Sequence, residues 1–212
     1  MMTDRDKNVV RVVSEVINGC VCSLPVDIKA VCQAHEVRLI PASSYLLEGI
    51  DAQSLFRAWG NPDGVAMRWE NEYVINYNDQ SPSNRRRFTI AEELMHILLG
   101  HIEDPGFRLA DQNYPDEVYA LYETEARRGA GMLLFPPTVW FRFRDLYDVG
   151  QLALLCKVSI ACASTAARQY SENEEELRAL FTPKVLLCDT ESLKPLDKFR
   201  PIDVWPEEGG IL

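Results

Sequence analysis

The chain has 212 residues, of which 47% are hydrophobic, enough to bury a sizeable core and too many for a disordered segment. Its 22 basic against 32 acidic residues give a net charge of −10, which disfavours a phosphate-binding surface over the molecule as a whole and leaves Arg85 to Arg87 as the one local basic patch. The six cysteines (Cys20, Cys22, Cys32, Cys156, Cys162, Cys188) form no CxxC pair and fall mostly in apolar stretches, so reduced, buried thiols are expected rather than disulfides or a zinc knuckle. With no apolar leader and no run of membrane-spanning length, the chain reads as cytoplasmic.

Val9, Val10, Val12, Val13, Val16 and Ile17 make a stripe of helical period that ends near Asn18 and Gly19. A second short helix is expected from Pro25 to Glu36, opened by the proline, and the two together read as a helical cover. His35, at the end of that helix, has no acidic or metal-like company and takes a structural or surface role. Val37 to Ile40 alternates like a strand and stops at Pro41. Asn61-Pro62-Asp63-Gly64 is a turn, followed by two strand-like runs, Val65 to Trp69 and Tyr73 to Tyr77.

A long helix follows from Ser83 to His101, with Ala91, Leu94, Met95, Leu98 and Ile102 on its buried face. Glu92 and His96 stand four apart and share one side of it, with Glu93 one step round. Zinc-peptidase helices use this spacing: residues at i and i+4 hold the metal, and a Glu at i+1 handles the proton of the attacking water. Here Glu92 stands where a His is usual. On spacing alone, a Glu–His pair of this kind is also an ordinary local contact, and a His on a half-apolar helix is also an ordinary core residue.

After His101, Asp104-Pro105-Gly106 and Asn113-Tyr114-Pro115-Asp116 read as rim or lid, and Pro115 opens another helix running to Leu134. Pro136-Pro137 stops it, and Thr138 to Arg144 is an aromatic helix with Val139, Trp140, Phe143 and Leu146 expected in the core. Two short helices over Asp148 to Tyr170 could also make a helix-turn-helix with Ser159, Ser164, Thr165, Arg168 and Gln169 facing a groove. The turn lacks glycine and Glu172 to Glu176 adds an acidic run, which disfavours DNA. Val185 to Cys188 reads as a late strand, and Lys194 to Leu212 as an extended tail anchored by Trp205. The expected organisation is one domain over residues 1–182, with its helical cover and C-terminal helices, then a strand and tail over 183–212.

Arg87-Phe88-Thr89-Ile90-Ala91-Glu92-Glu93-Leu94-Met95-His96-Ile97-Leu98-Leu99 resembles the active-site helix of the ImmA/IrrE metallopeptidase family, which usually reads R-F-T-[LI]-A-H-E-[LI]-G-H-x-L-L. It departs at Glu92 for His and at Met95 for Gly. Glu123 to Pro136 resembles the second family motif, E-x-E-A-[ND]-x-F-A-A-x-L-L-M-P, with Arg127 and Gly129 in place of Asn/Asp and Phe. The resemblance covers roughly residues 65 to 170, with its specificity in those two motifs. It implies an α+β, zincin-like domain: a small antiparallel sheet of about three or four strands packed on the active-site helix and a second ligand-bearing helix, with a helical C-terminal part.

By the same resemblance, Glu92, His96 and Glu123 would bind the metal, with Glu125 as the alternative third ligand if the register shifts, and Glu93 would be the general base. The cofactor is expected to be Zn2+ or, because oxygen donors are harder than imidazole, Mn2+ or another divalent ion. His101 is expected to be structural or at the rim. Family members cleave helix-turn-helix repressors, so the resemblance implies a regulatory endopeptidase acting on a protein partner such as a transcriptional repressor. The alternative is the same fold without catalysis, a binding module that grips its partner. A DNA-binding regulator through residues 148–170 is the third reading.

Overall fold

The computed structural model describes residues 1–20, 24–108 and 115–181; the expected late strand, the tail and the rest of residues 183–212 lie outside the described residues. In chain order its elements are α1 (Asp4–Cys20), α2 (Ile28–Ala34), β1 (Val37–Pro41), α3 (Ala42–Leu47), α4 (Ala52–Trp59), β2 (Gly64–Trp69), β3 (Glu72–Tyr77) and α5 (Ser83–Leu98). A single 3-10 turn (His101–Glu103) then leads to α6 (Pro105–Arg108), α7 (Asp116–Leu134), α8 (Pro137–Phe143), α9 (Val149–Cys156), α10 (Ile160–Glu172) and α11 (Glu174–Leu180). The class is α+β, as expected from the sequence: one small sheet among helices.

Local chemistry sets most of these boundaries. The valine stripe of α1 is buried at Val9, Val10, Val13, Val16 and Ile17. α2 begins later than its proline suggested, because Asp27 caps it by accepting from the backbone N–H groups of Lys29 and Ala30. Asp51 caps α4 through Ser54, and left-handed Gly60 ends it. Neither α3 nor α4 was expected, since both are too short to show a clear period. α9 opens with a capping box between Asp148 and Gln151, and Ser159 caps α10.

The sheet order is β1-β3-β2, and it corrects the expectation of a wholly antiparallel sheet. β2 and β3 form the expected antiparallel hairpin, with Trp69 opposite Glu72, but β1 lies parallel to β3, with Val37 opposite Tyr73. The cause is the helical connection through α3 and α4, which carries the chain past one strand position, so that β3 returns between its two neighbours. β2 is therefore one edge, and it borders α5. Its first residue needs to be glycine: a Cβ on Gly64 would stand 2.8 Å from Thr89 Cγ2 on α5 and 2.7 Å from the Asn76 carbonyl oxygen.

Two further expectations change. The long helix ends at Leu98, because Gly100 takes the left-handed conformation at φ 77° and turns His101 and Ile102 back onto the core. Leu146 is exposed, since the chain leaves α8 before reaching it. The basic patch at Arg85 to Arg87 is spent on the fold: Arg85 pairs with Asp63, Arg86 donates to the Asp79 carbonyl and Arg87 to the Cys156 carbonyl. Among the described residues, Cys20, Cys32, Cys156 and Cys162 form no disulfide. No single helix there is long and apolar enough to cross a membrane, and α9 with α10 are bent by 113° at their junction.

Candidate metal centre

α5 and α7 lie side by side and form the most extensive contact between any two elements described. Small residues permit it: Ala91 on α5 and Ala126 and Ala130 on α7 are fully buried in the seam. At Gly129 a Cβ would stand 2.6 Å from Met95 Cε and 2.9 Å from its Cγ, so the Met95 side chain occupies the space of the absent one. This close approach lets polar groups on facing turns of the two helices reach one another.

His96, almost fully buried, places Nε2 3.4 Å from Glu123 Oε1 across that seam. Their hydrogen bond holds the Glu123 carboxyl below its usual range. Glu92, on the same side of α5 as His96, is mostly buried, and burial raises its carboxyl above the usual range despite the neighbouring Arg127. Glu93 is turned toward the sheet, where its Oε2 accepts the Ala66 backbone N–H of β2 at 2.6 Å. Burial pushes its carboxyl up to about 7, with His96 and the Ala66 bond pulling the other way. The residues expected for metal and base thus stand in one neighbourhood between β2, α5 and α7. Glu125 does not join them: it points to the far side of His101, so the structure places Glu123, not Glu125, beside His96.

His101, expected at the rim, is buried and is part of a relay. Arg5 of α1 binds Glu125 through two contacts, Nε to Oε1 at 2.6 Å and Nη2 to Oε2 at 2.8 Å. Burial raises the Glu125 carboxyl, but Arg5 and His101 outweigh it and leave it ionised and below its usual range. Glu125 Oε2 lies 3.1 Å from His101 Nε2, and His101 Nδ1 lies 3.1 Å from His96 Nδ1. Burial holds His101 neutral by pulling its imidazole down to about 4. The tautomers follow by elimination: an ionised Glu125 only accepts, so His101 donates from Nε2 and accepts at Nδ1. His96 then donates from Nδ1, and Nε2 is the nitrogen that faces Glu123. Tyr122 stacks on His101 with ring centroids 4.2 Å apart, and Phe107 stacks on His96 at 5.1 Å.

Arg127, where the family motif has Asn or Asp, bridges the two carboxylates. Its Nε is 2.9 Å from Glu92 Oε1 and its Nη2 is 2.7 Å from Glu123 Oε2. Glu92 Oε1 is nonetheless buried without an aligned hydrogen bond. Three features fit a divalent cation here. The 3.4 Å between His96 Nε2 and Glu123 Oε1 is the spacing of two donors each roughly 2.1 Å from one tetrahedral ion. Glu92 supplies a buried carboxylate oxygen, and the Arg127 guanidinium beside it already stands where positive charge is required. As the side chains lie, no group of three or more His, Cys, Asp or Glu among the described residues is set to hold an ion, and both Glu92 and Glu123 lie against Arg127.

Sequence reasoning missed three contributors. Tyr119, four residues before Glu123 on α7, hydrogen-bonds that carboxylate, and burial raises its phenol above the usual range. The i,i+4 spacing to Glu123 was a signal for it. Arg5 and Phe107 carried none, since both arrive from elements remote in sequence.

The sequence model for the IrrE N-terminal-like domain matches residues 48–179. Among curated proteins, the radiation response metalloprotease IrrE of Deinococcus deserti is 35% identical over 92 residues, which cover 43% of this chain and 32% of that protein. The chain thus aligns to about a third of the length of the relative it matches. α1 and its Arg5 precede the region matched by the family.

Proposed function

Since the chain belongs to the family of the IrrE N-terminal-like domain, we propose that it is a regulatory, metal-dependent endopeptidase using Glu92, His96 and Glu123 as metal ligands and Glu93 as general base. The observation that carries this reading is the approach of His96 Nε2 to Glu123 Oε1 at 3.4 Å beside Glu93. A divalent cation, Zn2+ or Mn2+, would there polarise the scissile carbonyl and make a neighbouring water a better nucleophile. Glu93, with its carboxyl near 7, takes the proton of the attacking water and returns it to the leaving amine nitrogen. Tyr119 brings a phenolic donor to Glu123, where it would be available to an oxygen on which charge develops. The relay from Glu125 through His101 keeps His96 Nε2 turned to the site. An extended segment of the substrate would lie along the β2 edge.

The proposed substrate is a protein partner of repressor type in the cytoplasm, a choice supported by the motif resemblance; the IrrE relative is named a radiation response metalloprotease. A second reading, a binding module without catalysis, is favoured by Arg127 on the ligand carboxylates and Glu93 on the Ala66 amide.

Cleavage of a candidate repressor, measured with metal content, separates the two. Glu93→Gln should keep its metal and lose roughly 10²-fold or more in rate, the scale of a missing general base. Metal-loaded protein that cleaves nothing, yet binds the repressor as well as Glu93→Gln does, would establish the second reading.

A further inference from the structure

We propose that Arg127 is the resident cation of this centre: its guanidinium neutralises Glu92 and Glu123 in the metal-free chain and must leave before a divalent ion can bind. Metal loading is then an exchange of one cation for another. The proposal rests on the reading of Glu92, His96 and Glu123 as the donors.

Geometry carries it. Arg127 touches both carboxylates, Glu92 through Nε and Glu123 through Nη2. It reaches in from solvent: its side chain is 60% exposed, against 17% and 18% for the carboxylates it covers. The same side chain lines an open, largely apolar cavity of about 430 Å³ between α7 and α10, where Thr124, Thr165 and Gln169 offer polar atoms, which gives the guanidinium room to move aside. Without it, two carboxylates would face one site with no counter-charge between them, a costly arrangement for partly buried groups.

Four of the departures from the motifs fall into two matching pairs. Met95 and Gly129 exchange volume across the seam, and Glu92 and Arg127 exchange charge across it. Glu92 adds a negative charge where a neutral imidazole is usual, and Arg127 adds the positive charge that answers it. An ordinary surface pair would not reach a buried oxygen at the position of a ligand. A divalent ion and the guanidinium cannot both occupy the space between these oxygens, since like charges at such distances repel strongly.

The test titrates Zn2+ and, separately, Mn2+ into the metal-stripped full chain, calorimetrically, with thermal melting of the same samples. The proteins are wild type, Arg127→Gln, Arg127→Lys, Glu123→Gln and the double variant Arg127→Gln/Glu123→Gln. Arg127→Gln should bind at least about tenfold tighter than wild type, with Arg127→Lys between them, because an ammonium is a point charge that cannot fork across two carboxylates. Metal-free Arg127→Gln should melt below metal-free wild type, and the order should close or reverse once metal is added. Binding by Arg127→Gln alone, abolished in a Glu123→Gln background, supports the exchange in its strongest form. Equal affinities in wild type and Arg127→Gln overturn it while leaving the donor set intact. Absence of Glu123-dependent binding in both overturns the exchange and the donor set together.

Discussion

The Met95 side chain fills the space that Gly129 leaves open, its Cε 2.6 Å from where a Cβ on that glycine would stand. The two residues hold α5 and α7 at the separation that lets His96 meet Glu123. Gly129→Ala should therefore destabilise the wild-type chain, by roughly 1–3 kcal/mol from overpacking, less the gain in helix propensity. In a Met95→Ala background the clash is gone and the propensity gain remains, so the same substitution should become stabilising. Urea denaturation of the four proteins gives the coupling. A Gly129→Ala effect of the same sign and size in both backgrounds would remove Met95 as the reason for the glycine.

Glu93 makes the stability of the metal-free chain depend on pH. Its folded carboxyl titrates at about 7 and its reference value is 4.5, so the folded state prefers the neutral form. The associated stability is complete below the unfolded value and is lost as the pH rises through about 7. Glu93→Gln keeps an acceptor for the Ala66 N–H without ionising. It should match wild type near the acid end and exceed it at about pH 8 by a margin on the order of 2–4 kcal/mol. Denaturation midpoints across that range decide, and parallel pH profiles for the two proteins would exclude an ionising Glu93.

The relay behind His96 predicts a loss of metal affinity at residues that touch no metal. His101→Phe removes the acceptor for the His96 Nδ1–H and frees the ring to present the wrong nitrogen. Zn2+ affinity should fall roughly 10–100-fold, the usual scale for removing the group that orients a histidine ligand. Arg5→Ala should act in the same direction and more weakly, because Glu125 keeps its bond to His101. Competition against a chelator of known affinity measures both, and unchanged binding in His101→Phe would show that the tautomer is set elsewhere.

Removing metal should lower stability without unfolding the chain, because the apolar core runs from α1 through α5 and α7 to α10 and does not depend on the ligand side chains. Zn2+ at about 100 times its dissociation constant should stabilise by about 2.7 kcal/mol, and Glu123→Gln should abolish that gain. Thermal melts with and without chelator check this. Collapse of the fold on chelation would mean that the ion is structural.

The order of elements around the site was legible in the sequence because the information there is local. Helical periods, caps and turn residues act within a few positions, which located α1, the β2–β3 hairpin, α5 and α7. The i,i+4 spacing put Glu92 and His96 on one side of a helix before any packing was known. Non-local geometry decided the rest. The parallel pairing of β1 depends on a crossover whose short helices leave no clear pattern, and His101 joins His96 only because Gly100 reverses the chain. Which of Glu123 and Glu125 faces His96 depends on the rotation of α7 against α5, and that is set by Met95 seated over Gly129. Arg127 comes from the opposite helix to cover Glu92, and no spacing within one segment encodes a contact between two segments that only packing brings together.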